Sequence, residues 1–417
     1  MATVVASDSA QSWRTLAGCG VLAMFSVGAL YGATFGLFLL PLQQSLGWGR
    51  AEIAFSLTLV TLVGPAVVPI TGWVVDHVPL RPLVLWGVLL QSINLAAFGW
   101  MGANIWVYYA LVFALMFTAA GPSMLTMAKV VTGWFDKSLG RAMGILFACG
   151  AVGGILHPLW VQAVISRIGW REAFWTMGGL TFAVSGAMAW WAVYQAPAVL
   201  ESPSRIVPVR IEAATPMSMA AFLVDFIWWK LALWNMLFAF GSGAIFMHFA
   251  ALLQDRGATP AQAAMAMSLL GAGGLAGNLL AGWLVDRWSA ARMAVGLMLA
   301  PMAAALMLYA GGSLALAISA GAVLGLCSGS DHSLSVFLTR RYFEPGIFGR
   351  ASATQMLAAT AGGGVSPWLS GLLHDRTGNY DVALLLAAGA FGAAAVVAWW
   401  LPDSREVATT VPASASG

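Results

Sequence analysis

The sequence predicts an all-α integral membrane protein: twelve transmembrane helices in two parallel six-helix halves, with both termini cytoplasmic. Three observations predict it. The first is composition: of 417 residues, 60% are hydrophobic and 8% charged, with a mean hydropathy of +0.84, against roughly 25% charged in an ordinary soluble domain. A soluble domain of this length could not hide so much apolar surface. The second is segmentation, because a spanning helix needs about 20 mostly apolar residues. Twelve such stretches lie at 16–42, 52–75, 82–101, 105–133, 141–166, 173–195, 229–253, 261–284, 293–310, 313–338, 351–373 and 382–401. The third is an internal repeat at an offset near 209 residues.

The first stretch has no charge between Arg14 and Arg50, far beyond the roughly 7 to 15 apolar residues of a cleavable signal. It is expected to remain as helix 1. Positive charge is retained on the cytoplasmic side. With both termini inside, the inner segments hold 13 of the 19 Lys and Arg and the outer ones 5, leaving Lys129 within a helix. That bias supports the orientation and the even helix count. The cysteines Cys19, Cys149 and Cys327 all fall inside predicted spans without pairing or metal-type spacing, and read as small apolar fillers. A formal charge of +3 is too slight to suggest nucleic acid.

The repeat brings TGWVVD (71–76) onto AGWLVD (281–286), Trp134-Phe135-Asp136 onto Tyr342-Phe343-Glu344, and Gly140-Arg141 onto Gly349-Arg350. It also carries Gly153, Gly154 and Pro158 onto Gly362, Gly363 and Pro367. Helix number and direction agree in both copies, so the halves are related by an axis along the membrane normal. The organisation is a six-helix half at 1–195, a cytoplasmic linker at 196–228 rich in Pro, Ser and charge, and a second half at 229–417 with a short cytoplasmic tail. Two halves rocking about a central cavity are the mechanical basis of secondary transport. The chain has no GxxxxGK[ST] phosphate loop and no acidic cluster for magnesium, so neither a cofactor nor an enzymatic motor is expected, and energy must come from an existing gradient.

At the inner face, GWVVDHVPLRP supplies Gly72, Asp76 and Arg81, and GWLVDRWSAAR supplies Gly282, Asp286 and Arg287. A glycine lets a neighbouring helix approach closely. An aspartate at a helix end can accept from an arginine or a helix N-terminus in one state and release it in the other. Together with Arg141 and Arg350, these are the candidate gating residues; the bland alternative is that they merely mark the inner membrane boundary.

These paired motifs resemble the helix 2 to 3 and helix 8 to 9 signature of the major facilitator superfamily. LGWGRAEIA (46–54), GWFDKSLGRAMGI (133–145), RIGWREAF (167–174), LLQDRG (252–257) and HDRTGNYDVALLLA (374–387) resemble the branch holding monocarboxylate transporters and oxalate–formate exchangers. The resemblance implies the major facilitator fold, with helices 1, 4, 7 and 10 lining the cavity. Many members of that branch carry a helix 8 arginine four residues before the signature glycine, sometimes with an acidic residue one turn earlier; here those positions are Asn278 and Gly274. The helix 1 lysine of animal lactate carriers is also missing. Proton-coupled lactate transport by that familiar set is therefore not expected.

Ionisable residues within a membrane are costly, so they are functional candidates by default. Lys129 on helix 4 is read as the cation for an anionic substrate group, as a side chain snorkelling to the inner headgroups, or as one member of a purely structural ion pair. Asp331 on helix 10 lies eleven residues before Tyr342, roughly 16 Å deep at 1.5 Å per residue, as a substrate contact, a proton carrier or a structural partner. His248 and His332 are candidates for proton coupling, His248 also for substrate, with packing as the alternative; His157 is a weaker third. Tyr31, Asn235 and Asn278 could donate to substrate or simply bond between helices. The glycine clusters at 150–154, 271–277 and 362–364 are expected to pack helices 5, 8 and 11.

The function expected is secondary transport of a small organic anion, a mono- or dicarboxylate, with proton coupling possible through Asp331 or a histidine. Two rivals stay open: an exporter of amphipathic compounds, and a transporter-like sensor. The expected partners are the small-molecule substrate and the lipid bilayer, the expected state a monomer, and the expected location a bacterial inner membrane.

Overall fold

Each of the twelve apolar stretches is helical over most of its described residues, as it must be where no water can satisfy backbone N–H and C=O groups. The computed structural model describes residues 10–135, 137–192, 225–285, 287, 289–343 and 347–402; most of the expected linker and the C-terminal tail lie outside these. The helices are α1 Ala10–Met24, α2 Ala33–Leu46, α3 Arg50–His77, α4 Leu80–Ala97, α5 Ile105–Thr118, α6 Met124–Trp134, α7 Leu139–Ile168, α8 Trp170–Leu180 and α9 Gly186–Ala192. After the linker come α10 Phe226–Phe246, α11 Phe249–Asp255, α12 Pro260–Val285, α13 Ala290–Ala310, α14 Leu314–Tyr342, α15 Phe348–Thr377 and α16 Asp381–Trp399. Among the described residues, 7 helices are long and apolar enough to cross a membrane, and 9 if each of two bent pairs is one span.

The sixth stretch passes through a π turn, Thr181–Ser185, between α8 and α9, and three others expected to be single helices are bent or parted. The first bends by 41° between α1 and the π turn Gly28–Gly32 that leads into α2. There Gln91 of α4 donates to the Phe25 carbonyl at 2.9 Å, covering a backbone group that the bend exposes. The fourth parts between α5 and α6 at Gly121-Pro122, where proline has no N–H to continue the ladder. Ser123 caps α6 by accepting from the Thr126 amide at 3.2 Å, and the Thr126 hydroxyl donates to the Ala120 carbonyl at 2.7 Å. The seventh bends by 46° between α10 and α11, at Met247-His248. All three lie in stretches that the family resemblance places at the cavity, and irregular backbone at membrane depth is tolerated only inside protein or beside water.

The chain divides into two compact units, Met1–Val207 with Gln254–Gly271 and Pro208–Leu253 with Ala272–Gly417. In the first, Leu22, Val84, Val88, Met127, Val131 and Leu146 form a core, and Phe174 stacks on Phe38 and Phe98 at ring separations of 4.1 and 5.0 Å. In the second, Trp234, Phe249 and Phe391 are fully buried. Large apolar side chains such as Leu62, Trp106, Trp399 and Trp400 are more than two-thirds exposed, which suits a lipid surround and, for the tryptophans, the interfacial belt.

A contact recurs in each unit. A Cβ on Gly153 of α7 would strike the Met24 backbone of α1, and one on Gly362 of α15 would strike the Met236 backbone of α10. The repeat aligns these two glycines. Likewise α12 and α14 meet backbone to backbone: Gly273 and Gly277 face Ala322 and Leu326, and Gly329 faces Gly274. Small residues allow this approach, and dispersion between helices holds it.

Candidate functional site

Lys129 sits midway along α6, and its ammonium reaches the C-terminal end of α3. Nζ donates to the Val75 carbonyl at 2.7 Å and to Asp76 Oδ1 at 2.8 Å. The lysine side chain is 34% exposed and the aspartate 68%. The hydrogen bond from Lys129, followed by its charge, holds the Asp76 carboxyl below the usual carboxylate range. Two residues singled out for different jobs, anion contact and gating, are thus bonded to each other within one unit.

Tyr31 is carried on the π turn of the first stretch, and a π bulge re-aims side chains at functional places. Its hydroxyl lies 3.5 Å from that of Tyr108 on α5, which lies 3.1 Å from Ser56 of α3. Tyr31 also lines a cavity of about 460 Å³ between the π turn Gly28–Gly32, α3, α5 and α6.

In the second unit, Asn235 of α10 is buried and saturated. Its amide donates to the Leu231 carbonyl at 2.9 Å and to Gln355 of α15 at 3.2 Å, and its oxygen accepts from Ser335 of α14 at 2.9 Å. His248 is fully buried; Nε2 donates to the Pro367 carbonyl at 2.8 Å, and Nδ1 lies 3.0 Å from the Tyr380 hydroxyl. In the first unit the Trp160 indole donates to His157 Nδ1 at 2.8 Å, so Nε2 carries the proton given to the Met24 carbonyl at 2.9 Å. Asn278 is exposed, and accepts from Ser333 at 3.1 Å.

Asp331 stands on α14 beside the tight contact with α12, where Ser330 donates to the Gly277 carbonyl at 3.0 Å. Its Oδ1 is shut away from solvent and has no hydrogen-bond partner among the described residues. The neighbouring His332 belongs to α14, but its side chain lies outside the described residues.

The sequence matches the Major Facilitator Superfamily model over residues 18–247 and again over 231–416. The chain belongs to the major facilitator superfamily. Human monocarboxylate transporter 11 is 24% identical over 412 residues, spanning 91% of this chain and 80% of that protein. Human monocarboxylate transporter 12 is 22% identical over 418 residues, spanning 91% and 78%. Among solved structures, nucleoside transporter NupG aligns with a TM-score of 0.72 at 14% identity, covering 94% of this chain and 98% of that one. A bacterial homologue of the human lysosomal transporter Spinster, inward-facing and unoccupied, aligns with a TM-score of 0.68 at 16% identity, covering 94% and 95%. The protein is an integral, multi-pass membrane transporter and not an enzyme.

The remaining described gating candidates of this facilitator chain lie on α3, α4, α7, α12 and α15 and, for Arg287, in the turn after α12. Gly72 has nothing within 4 Å of where a Cβ would stand. Arg81 lies 5.4 Å from the Trp190 ring centre and Arg141 5.6 Å from that of Trp13. Gly282 falls within α12, Arg287 and Arg350 are exposed, and Asp286 lies outside the described residues. One pair escaped the sequence reading: Arg50, first residue of α3, grips Asp255, last residue of α11, through both guanidinium nitrogens at 2.5 and 2.9 Å. Both lie in segments quoted for their family likeness, LGWGRAEIA and LLQDRG, and that was the available signal.

Proposed function

We propose that this transporter moves an organic anion, a mono- or dicarboxylate, by alternating access, with Lys129 as the cation that meets the substrate carboxylate. One observation carries the reading: the Lys129 ammonium already holds a carboxylate, that of Asp76, which is two-thirds exposed and so exchangeable. A point charge on a flexible stem suits such an exchange. The likeness to monocarboxylate transporters over 91% of the chain supports it. Asp331, with one oxygen unused, is the proposed proton-coupling group. Asn278 stands where related carriers have arginine, so the anion contact falls to Lys129. Twelve crossings with both termini inside complete the proposal.

The test is thermal stability of the purified protein, wild type and Lys129→Ala, with mono- and dicarboxylates and with lipophilic drugs. A ligand at 100 times its Kd adds about 2.7 kcal/mol. A carboxylate that stabilises wild type but not Lys129→Ala, and that then shows counterflow in liposomes, supports the reading. Equal stabilisation of both proteins by lipophilic compounds alone would favour an exporter of amphipathic compounds, a reading that the apolar cavity beside Tyr31 keeps in view.

A further inference from the structure

The cavity around Tyr31 is lined by Leu57 and Val60 of α3, Met116 of α5 and Leu125 of α6, with Tyr31, Thr71 and Ser123 as its polar side chains. Its volume of about 460 Å³ compares with roughly 30 Å³ for one water in the liquid. A three-carbon carboxylate, of the bulk of about four waters on that scale, would leave most of it unfilled.

Lys129 is not among the residues that line this space and stands one helical turn beyond its lining. Leu125 is four residues before Lys129 on α6, and Thr71 is four before Val75 on α3, so each wall ends one helical turn from the bridge. A partly open apolar cavity of ligand size with a cation one helical turn beyond it is complementary to an amphiphile with an anionic head.

We infer that the transported anion is an amphipathic monocarboxylate, whose hydrocarbon or aryl body fills the Tyr31 cavity while its carboxylate replaces Asp76 on Lys129. The inference rests on the anion role of Lys129 proposed above and adds the substrate's class. Small dicarboxylates are then poor ligands, because their second charge would enter an apolar chamber. Each methylene of the body that enters the cavity tightens binding by about fourfold.

The experiment is binding of acetate, butyrate, octanoate and 3-phenylpropionate, with uncharged octanol as control, to the protein in nanodiscs. The proteins are wild type, Lys129→Ala, and the cavity-filling variants Val60→Phe and Met116→Trp, each first shown to be folded by its unfolding transition. The expected result is affinity rising at least thirtyfold from butyrate to octanoate in wild type. That ratio should collapse in either filled variant, and octanoate binding should fall at least tenfold in Lys129→Ala. Equal affinity for acetate and octanoate, still dependent on Lys129, would overturn the amphiphile and leave the carboxylate reading standing. Octanol binding as well as octanoate, with Lys129→Ala unaffected, would mean that the cavity takes a lipid chain, and would overturn both.

Discussion

Arg50 and Asp255 form a two-pronged ion pair between residues 205 positions apart, with the arginine side chain 5% exposed and the aspartate 32%. Arg50 Nε also donates to Gln43 at 3.1 Å, so the guanidinium is fixed along its whole edge. Removing one partner leaves the other charge poorly solvated. Arg50→Gln and Asp255→Asn are each expected to lower stability by about 1 to 3 kcal/mol, less than for a fully buried pair because Asp255 meets solvent. The double variant should lose less than the sum of the two. Thermal unfolding of all four proteins measures that coupling; strict additivity would show that the pair contributes nothing beyond its parts.

Asp76 gives a pH signature. Lys129 depresses its carboxyl below its ordinary value, so the folded state binds this proton less readily than the unfolded chain. Stability from the pair is therefore complete above the unfolded carboxylate value and is lost as pH falls through the folded one. The melting temperature of wild type should drop relative to Asp76→Asn below about pH 4, and the two curves should run parallel above pH 5. The effect is small, since Asp76 is exposed.

The glycines of α12 and α3 should behave oppositely. Gly277→Ala places a methyl against the Leu326 backbone, an overpacking expected to cost about 1 to 3 kcal/mol. Gly72→Ala meets open space and should leave stability unchanged or raise it by up to about 1 kcal/mol through helix propensity. If Gly72 is a gating residue, the same variant slows counterflow despite its sound fold.

His248→Ala removes the donor to the Pro367 carbonyl and the neighbour of the Tyr380 hydroxyl. The expected loss is about 1 to 3 kcal/mol for the stranded polar group, in addition to the cavity left behind. His248→Gln, able to keep one of the two bonds, should lose less. Transport by His248→Gln that keeps its pH profile would assign the ring to packing rather than to proton movement.

Asp331→Asn separates coupling from structure. The unused oxygen of Asp331 makes no bond that asparagine would break, so the variant should melt within a few degrees of wild type. If Asp331 carries the coupling proton, uptake driven by a pH gradient disappears while counterflow, which needs no gradient, persists. Unaltered gradient-driven uptake would remove Asp331 from that role.

The helices, their order and the membrane setting were legible because hydropathy and period are local properties of sequence. The glycine contacts were legible in kind, since the clusters at 150–154, 271–277 and 362–364 announced close packing, though not the partner each glycine meets. Pairings were not legible. Lys129 and Asp76 lie 53 positions apart, and although an ion pair was one reading of Lys129, nothing in the sequence singled out Asp76 as its partner. Tyr31 was visible as a polar residue in an apolar stretch, but Tyr108 and Ser56 were hidden among ordinary helix residues. Of the broken stretches, the fourth carried its breaker in Gly121-Pro122, whereas the first bends through GALYG without a proline, in a run whose hydropathy never falters.

The two histidines that clasp a proline-bearing helix carry one further consequence. In the first unit the ring belongs to α7, beside Pro158, and reaches the α1 backbone; in the second it belongs to the α10–α11 bend and reaches the Pro367 carbonyl of α15. The corresponding helix pairs are thus fastened from opposite members, from the proline-bearing helix in the first unit and onto it in the second. The two joints therefore share the glycine contacts of Gly153 and Gly362 but not the histidine bond, so a substitution of either histidine has no counterpart in the other unit. Stiffness can thus be set separately in each half, and a carrier assembled from near-copies is free to become mechanically lopsided.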